Sequence, residues 1–136
     1  VDEWLMWQMG GLGPIAGQAH HFLKYAPAME PPNDLPYAKD RYRSEVARLY
    51  GVMDRQLAQN EFVAGDFYSI ADMSIWGWAS LWEGQQQTLD DKPNMKRWLD
   101  TLGARPGVHR GRALHAEERG DLRADKTSHS VLFKRD

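Results

Sequence analysis

The stretch Tyr68-Ser69-Ile70-Ala71-Asp72-Met73-Ser74-Ile75-Trp76-Gly77-Trp78 decides how this chain folds. A serine stands three residues ahead of an acid, and an apolar run follows. That is the spacing of a reciprocal helix cap. The Ser69 oxygen can accept from the amide of Asp72, and the Asp72 carboxylate can reach back to the amide of Ser69. Tyr68 and Met73 hold the two positions of a hydrophobic staple. The spacing predicts a helix from Ser69 to about Trp82. Its body, Ile75, Trp76, Trp78, Ala79 and Leu81, is apolar on most sides, which predicts a place in the domain centre. A buried helix start has no water for its first amides, and each unmade bond there costs on the order of 1–3 kcal/mol. The cap therefore explains folding and says nothing about chemistry.

Helical patterns continue on both sides. Residues 2–26 read as a helix with Asp2 and Glu3 in its first turn, where acids complement the helix dipole. Trp4, Leu5, Met6, Trp7 and Met9 make it too apolar for a solvent-facing helix. GGLGP, Gly10 to Pro14, interrupts it, and an internal proline predicts a kink. PAMEPPNDLP, Pro27 to Pro36, carries four prolines in ten residues and reads as a linker between helices. Over 37–60, Tyr42, Val46, Leu49, Tyr50, Met53 and Leu57 keep the spacing of one buried stripe. A helix from Pro93 to Ala104 follows, with Met95, Trp98, Leu99 and Leu102 on one face. A short helix to Leu114 comes after Pro106. Residues 116–136 form a polar tail expected to be extended or mobile, with Val131 to Phe133 available to pin it back. No strand alternation and no repeat appear, so the fold class is all-α: five or so helices around the central helix 69–82.

The chain has 136 residues, which suggests one domain. Net charge is −2, so no field favours nucleic acid or an anionic membrane. Cysteine is absent, which excludes disulfides, zinc-thiolate sites and a cysteine nucleophile within the chain and is compatible with a cytoplasmic location. No apolar stretch approaches the roughly 18 residues needed to span a bilayer.

Candidate sites are few. Glycines in GGLGP let a backbone approach a ligand closely. They serve equally for a kink or a tight helix crossing. His20 and His21 are adjacent, so they point about 100° apart and cannot share a metal as an i, i+4 pair can. Trp76 and Trp78 read as core rather than as a stacking platform. Asp72 is occupied as a cap, and no Ser-His-Asp set can be defended.

Taken together, Gly65 with the Ser69–Asp72 cap, KPNMKRWLDTLGARPGV (Lys92 to Val108), WLMWQMGGLGPIAGQAHHF (Trp4 to Phe22) and DRYRSEVARLYGVMDRQL resemble, in order, the C-terminal domain of glutathione transferases. The first-helix run most closely resembles the bacterial nu class, which has disulfide-bond reductase activity. The resemblance covers about residues 2–114. It implies a domain over 1–115, a tail over 116–136, and a thioredoxin-like N-terminal domain that this chain lacks. That absent domain would hold most of the site for glutathione, the co-substrate, including the residue that activates the thiol.

The resemblance further implies that Met9, Gly10, Gly11, Gly13 and Pro14 line the substrate cleft. It also implies that Arg41 approaches glutathione, where a guanidinium fork suits a carboxylate; the other readings of Arg41 are a solvated side chain or an intersubunit ion pair. The start of the first helix, with Trp4 and Trp7, would pack at a homodimer interface. The partner would be a small electrophile or disulfide, with no metal, and no catalytic residue is expected in these residues. The alternative is a free-standing helical interaction module without enzyme activity.

Overall fold

The computed structural model describes residues 1–118, 120 and 125–133. Among them the chain is helical, apart from turns, irregular connections and one isolated bridge between Phe62 and Gly65. The first helix is a single rod of changing pitch. It runs as α1 (Asp2–Trp7), a π turn (Gln8–Leu12), α2 (Gly13–His20), a second π turn (His21–Tyr25) and a 3₁₀ turn (Ala26–Ala28). Backbone angles at the junctions Gln8, Gly13 and His21 all stay right-handed helical. At GGLGP, where a kink is expected, the hydrogen-bond register shifts to a π turn within a continuous helical run.

The proline-rich linker leads into α3 (Pro36–Leu57), with proline in its first turn, where a missing amide hydrogen costs nothing. Its stripe packs as the spacing requires: Val46, Leu49, Tyr50, Met53 and Leu57 are buried, and Tyr42 is half-buried. Helix α4 (Ile70–Ala79) follows, then a 3₁₀ turn at Trp82–Gln85, α5 (Pro93–Gly103) and α6 (Pro106–Ala113). The rod packs along α3 and α4, and α5 closes over both. Leu12, Ala16, Tyr50, Met53, Ile75, Met95, Trp98 and Leu102 form the centre of one core.

The capping box of α4 is complete. Asp72 Oδ2 accepts from the Ser69 amide at 3.0 Å and from the Ser69 hydroxyl at 3.1 Å. The Ser69 oxygen in turn accepts from the Ala71 amide at 3.2 Å. The other carboxylate oxygen does what the spacing does not foretell. Oδ1 accepts from the Val63 amide at 3.0 Å and from the Trp98 indole at 2.9 Å. Asp72 is wholly buried and satisfied by four donors from three segments. The Val63 amide is presented by a turn whose Gly65 sits at φ +132°, a conformation side chains rarely adopt.

A second exchange joins α3 and α5. The Asp54 carboxylate on α3 accepts the Met95 amide at 2.9 Å and the Asn94 side chain at 3.1 Å, satisfying the start of α5. Arg97 on α5 donates to the carbonyls of Leu57 and Asn60 at 2.9 and 3.1 Å, satisfying the end of α3. Farther inside, the Tyr50 hydroxyl donates to Gln85, whose amide donates to the Trp78 carbonyl. Burial pushes the Tyr50 phenol well above its ordinary range, so it remains a donor.

Three expectations need correction. The α4 body is not buried all round: Ile70, Met73 and Leu81 are 57, 52 and 40% exposed. Tyr68 packs on Phe62, 5.8 Å between ring centres, beneath the Arg105 guanidinium at 3.7 Å. The tail also contains helix α7 (Lys126–Phe133), because Asp125 caps it by accepting from the amides of Thr127 and Ser128. Val131 and Leu132 are exposed, so neither pins the tail to the body. The Phe133 side chain, Arg119, residues 121–124 and 134–136 lie outside the described set.

Replacing Asp72 by alanine leaves two amides and an indole without their acceptor, so the loss should exceed a simple cap and reach about 3 kcal/mol or more. Trp98→Phe removes one donor and should cost about 1–3 kcal/mol. Denaturant midpoints measure both. An unchanged midpoint for Trp98→Phe would show that the indole bond contributes nothing.

Candidate functional site

The π turn at Gln8–Leu12 is the most unusual backbone feature beside a candidate site. The Gly13 amide donates to the Gln8 carbonyl, five residues back. Pro14, next in the chain, has no amide hydrogen to continue an α-helical ladder. The turn is tied to α4 from the side: Gln8 is buried, and its Oε1 accepts from the Ser74 hydroxyl at 2.6 Å. Neither residue is marked by the sequence pattern, because a contact 66 residues apart leaves no local signal.

The glycines here divide into two kinds. A side chain on Gly13 would meet Gln8 Nε2 at 2.6 Å, the Trp78 indole nitrogen at 3.0 Å and the Gln8 carbonyl at 3.2 Å. Gly13 is the tight-crossing glycine. Around Gly10 and Gly11 nothing lies within 4 Å of an added Cβ. Met9, Gly10 and Pro14 are exposed and Gly11 half-exposed, so these four front a bare outer face.

Arg41 lies elsewhere on the surface. The neighbouring Tyr42 ring stacks on Phe22, 5.4 Å between centres and 8° from parallel. Phe22 is eight residues beyond Pro14, roughly 12 Å along the rod at 1.5 Å per residue. Arg41 is exposed; the Glu45 carboxyl one turn on is held below its usual range, chiefly by the hydrogen bond from Arg48, with Arg41 a minor contributor.

The histidines diverge, as adjacent helical residues must. His21 meets the edge of Phe22. His20 is buried 6.5 Å from Trp78, with Nε2 lacking a partner. Burial, and then the nearby Lys24 ammonium, hold its pKa below the ordinary 6.5. Among the described residues no three metal-ligating side chains gather, and no helix is long and apolar enough to cross a membrane. Trp76 donates to the Leu99 carbonyl at 3.4 Å, and Trp4 and Trp7 meet edge to face at 5.0 Å.

An open groove of about 1020 Å³ lies between the outward side of α4 and α6. Tyr68 and Trp76 line it, with Arg105 over one ring and Arg112 over the other, and Met73 and Leu81 complete its apolar wall. The groove and the face at Met9–Pro14 do not share a lining residue.

Such a bundle, hung on a capped central helix with a long kink-prone first helix packed along it, is an all-helical domain. The chain belongs to the family of glutathione S-transferase C-terminal domains, whose model matches residues 18–106. It is 41% identical over 123 residues to the disulfide-bond oxidoreductase YfcG of Escherichia coli K12, a match that takes in 90% of this chain and 54% of that protein. It is 38% identical over 121 residues to YghU, a disulfide-bond oxidoreductase of the same organism, with 83% of this chain and 40% of that protein covered. Among solved structures it resembles a Burkholderia graminis glutathione transferase holding two glutathione molecules per subunit. That comparison has a TM-score of 0.70 and 37% identity, and covers 87% of this chain and 49% of the other. The chain spans about half the length of the curated relatives it matches.

Two measurements separate the roles of these residues. Gly13→Ala should destabilise the domain by about 1–3 kcal/mol through overpacking. Gly10→Ala, in open space within a helix, should stabilise it by about 0.5–1 kcal/mol. Equal effects would refute the division of the glycines. For His20 the folded pKa is depressed, so folding opposes protonation. Stability should be full above pH 6.5 and fall as pH drops below it toward the folded pKa. The unfolding midpoint of His20→Gln should lack that part of the acid slope; parallel slopes would refute the assignment.

Proposed function

We propose that this chain is the helical half of a glutathione-dependent enzyme that attacks electrophiles or exchanges disulfides. A thioredoxin-like domain outside this sequence would bind and activate glutathione. The face at Met9, Gly10, Gly11 and Pro14, with Gly13 setting the crossing behind it, would form one wall of the substrate pocket. Arg41 would pair with a glutathione carboxylate once the other domain brings the ligand to it. The first-helix end at Trp4 and Trp7 would contribute to a homodimer, and the enzyme would work in the cytoplasm. The observation that carries this reading is the bare glycine face, in a chain 41% identical to one disulfide-bond oxidoreductase over nine-tenths of its length.

The exposed apolar side of α4 favours this reading over a free-standing module. Met73 and Leu81, both exposed, line a groove that Tyr68 and Trp76 also line. Contiguous apolar surface of this kind is ordinarily covered by another domain or partner. The chemistry, if disulfide exchange, needs a glutathione thiolate to attack one sulfur and release the other as a thiolate. No group in this chain has to carry that charge.

Calorimetric titration of the 136-residue chain with glutathione should give no binding at low micromolar concentration. In the intact two-domain protein, glutathione should be consumed with a small aliphatic disulfide or with an aryl halide as second substrate. Tight binding by this chain alone, or an intact protein inactive with both substrates, would defeat the proposal. Arg41→Ala in the intact protein should weaken glutathione binding tenfold or more, since a charge-assisted bond contributes roughly 1.5–3 kcal/mol. Its stability should move by about 0.5 kcal/mol or less. Lysine should restore only part of the affinity, because it lacks the fork. Unchanged affinity in Arg41→Ala would remove Arg41 from the site.

A further inference from the structure

A notch between the first helix and the 82–85 turn gathers positive charge around a glycine. His20 and Lys24 stand four residues apart, so they share one face of the first helix. That face meets the turn at Gly84. A Cβ on Gly84 would run into the Lys24 ammonium, reach Lys24 Cε at 2.9 Å and stand 3.6 Å from His20 Nε2. The two nitrogens therefore bracket one point, and the glycine keeps that point clear of any side chain of its own. His20 is 9% exposed, and its Nε2 is buried without a partner. Such orphans are rare in native proteins, and an ordered ion or water is a common reason for one. None of the ion pairs among the described residues uses Lys24. We propose that this notch is a site for a small inorganic anion of the chloride or sulfate kind. The anion sits between the Lys24 ammonium and a protonated His20, so that anion and proton are taken up together.

The inference is independent of the proposed function, whose residues it does not use. Its chemistry follows from the two nitrogens. In the imidazolium both ring nitrogens carry hydrogen. A buried N–H without an acceptor is costly, and a like charge beside it adds to the cost. An anion in the notch supplies the acceptor and offsets both charges. Burial, and after it Lys24, hold the His20 pKa below the ordinary 6.5, and these are the two penalties that an anion relieves; the Leu81 backbone acts the other way. Among the described residues, Lys24 is the charge that acts on His20. On the first helix His21 turns to the edge of Phe22. Helix α4 brings the Trp78 ring, 6.5 Å between ring centres. The turn brings Gly84, with Glu83 beside it exposed to solvent. Arg43 of α3 bonds Gln86 and Asp40 instead. Lys24 is itself exposed, so ions reach the notch from solvent. Linkage is reciprocal: an anion that favours the protonated ring is bound more tightly by that ring, by the same factor.

Long-range ¹H–¹⁵N spectra of the 136-residue chain report the His20 ring directly. Its protonation midpoint is read in sodium chloride, in sodium sulfate and in sodium camphorsulfonate, whose anion is too bulky for the notch, at one ionic strength. Chloride, sulfate or both should move the midpoint upward and saturably relative to camphorsulfonate. By reciprocity, the anion concentration that gives half the effect should fall about fivefold or more from a pH well above the midpoint to one well below it. Lys24→Met keeps the apolar stem and removes the charge. Its midpoint should rise in camphorsulfonate, where the repulsion is gone, and lose its response to the small anions. Gly84→Ala fills the notch while keeping Lys24, and should lose the response by a separate route with the Trp98 indole signal still native. A midpoint that is the same in all three salts, one that climbs with ionic strength whatever the anion, or an undiminished response in Lys24→Met or Gly84→Ala overturns the inference.

Discussion

A single carboxylate holds the domain's segments in register. Asp72 takes four donors, and they come from the 62–65 turn, from the start of α4 and from the indole of Trp98 on α5. Each pair alone is an ordinary bond. Together they fix where α4 begins, how the turn before it is folded and at what rotation α5 lies across it. Removing the acceptor would strand several buried donors at once, and partly satisfied buried networks cost more than apolar replacements do. The rest of the fold is arranged around that anchored pair. Asp54 and Arg97 exchange helix-end bonds between α3 and α5, and the rod then lies on the surface that α3 and α4 present together.

The parts of this arrangement that the sequence reveals are those set by short spacing. The Ser69–Asp72 interval gives the cap, and the stripe from Val46 to Leu57 gives α3 and its inward face. Proline at positions 36, 93 and 106 gives three helix starts. The tail helix is not announced by its polar, weakly patterned composition; Asp125 just ahead of it supplies the cap. The second bond of Asp72 was not legible, because Trp98 reads first as apolar bulk and the position of its nitrogen is a tertiary matter. The burial of α4 was overread for a related reason: composition shows that a helix is apolar but not whether every side is covered within the same chain.

The candidate site shows the same limit at finer scale. GGLGP announced a backbone irregularity, yet kink, close crossing and ligand approach all use the same residues. Geometry separates them: Gly13 faces Gln8 and Trp78, while Gly10 and Gly11 face open space. Gln8 and Ser74 hold the turn and are anonymous in the sequence, since each is a common polar residue whose partner lies 66 positions away. Arg41 was placed by resemblance alone; in the folded chain it is exposed, next to the Tyr42 whose ring stacks on Phe22.

Local energetics then point at which residues serve something other than folding. An internal proline costs a helix about 3 kcal/mol, and each internal glycine about 1 kcal/mol against alanine. The run Gly10-Gly11-Leu12-Gly13-Pro14 concentrates four such residues in five positions. Leu12 is core, and Gly13 permits the close approach to Gln8 and Trp78, so both are accounted for by packing. The π turn shifts the register beside the proline, so that the Gly13 amide donates to Gln8 rather than to Met9. Gly10 and Gly11 remain with no packing reason at all: alanine would fit both and favour the helix. Residues that break a local rule without a compensating contact gather where a protein meets its ligand. Here they stand in the π turn, on the open side of the first helix.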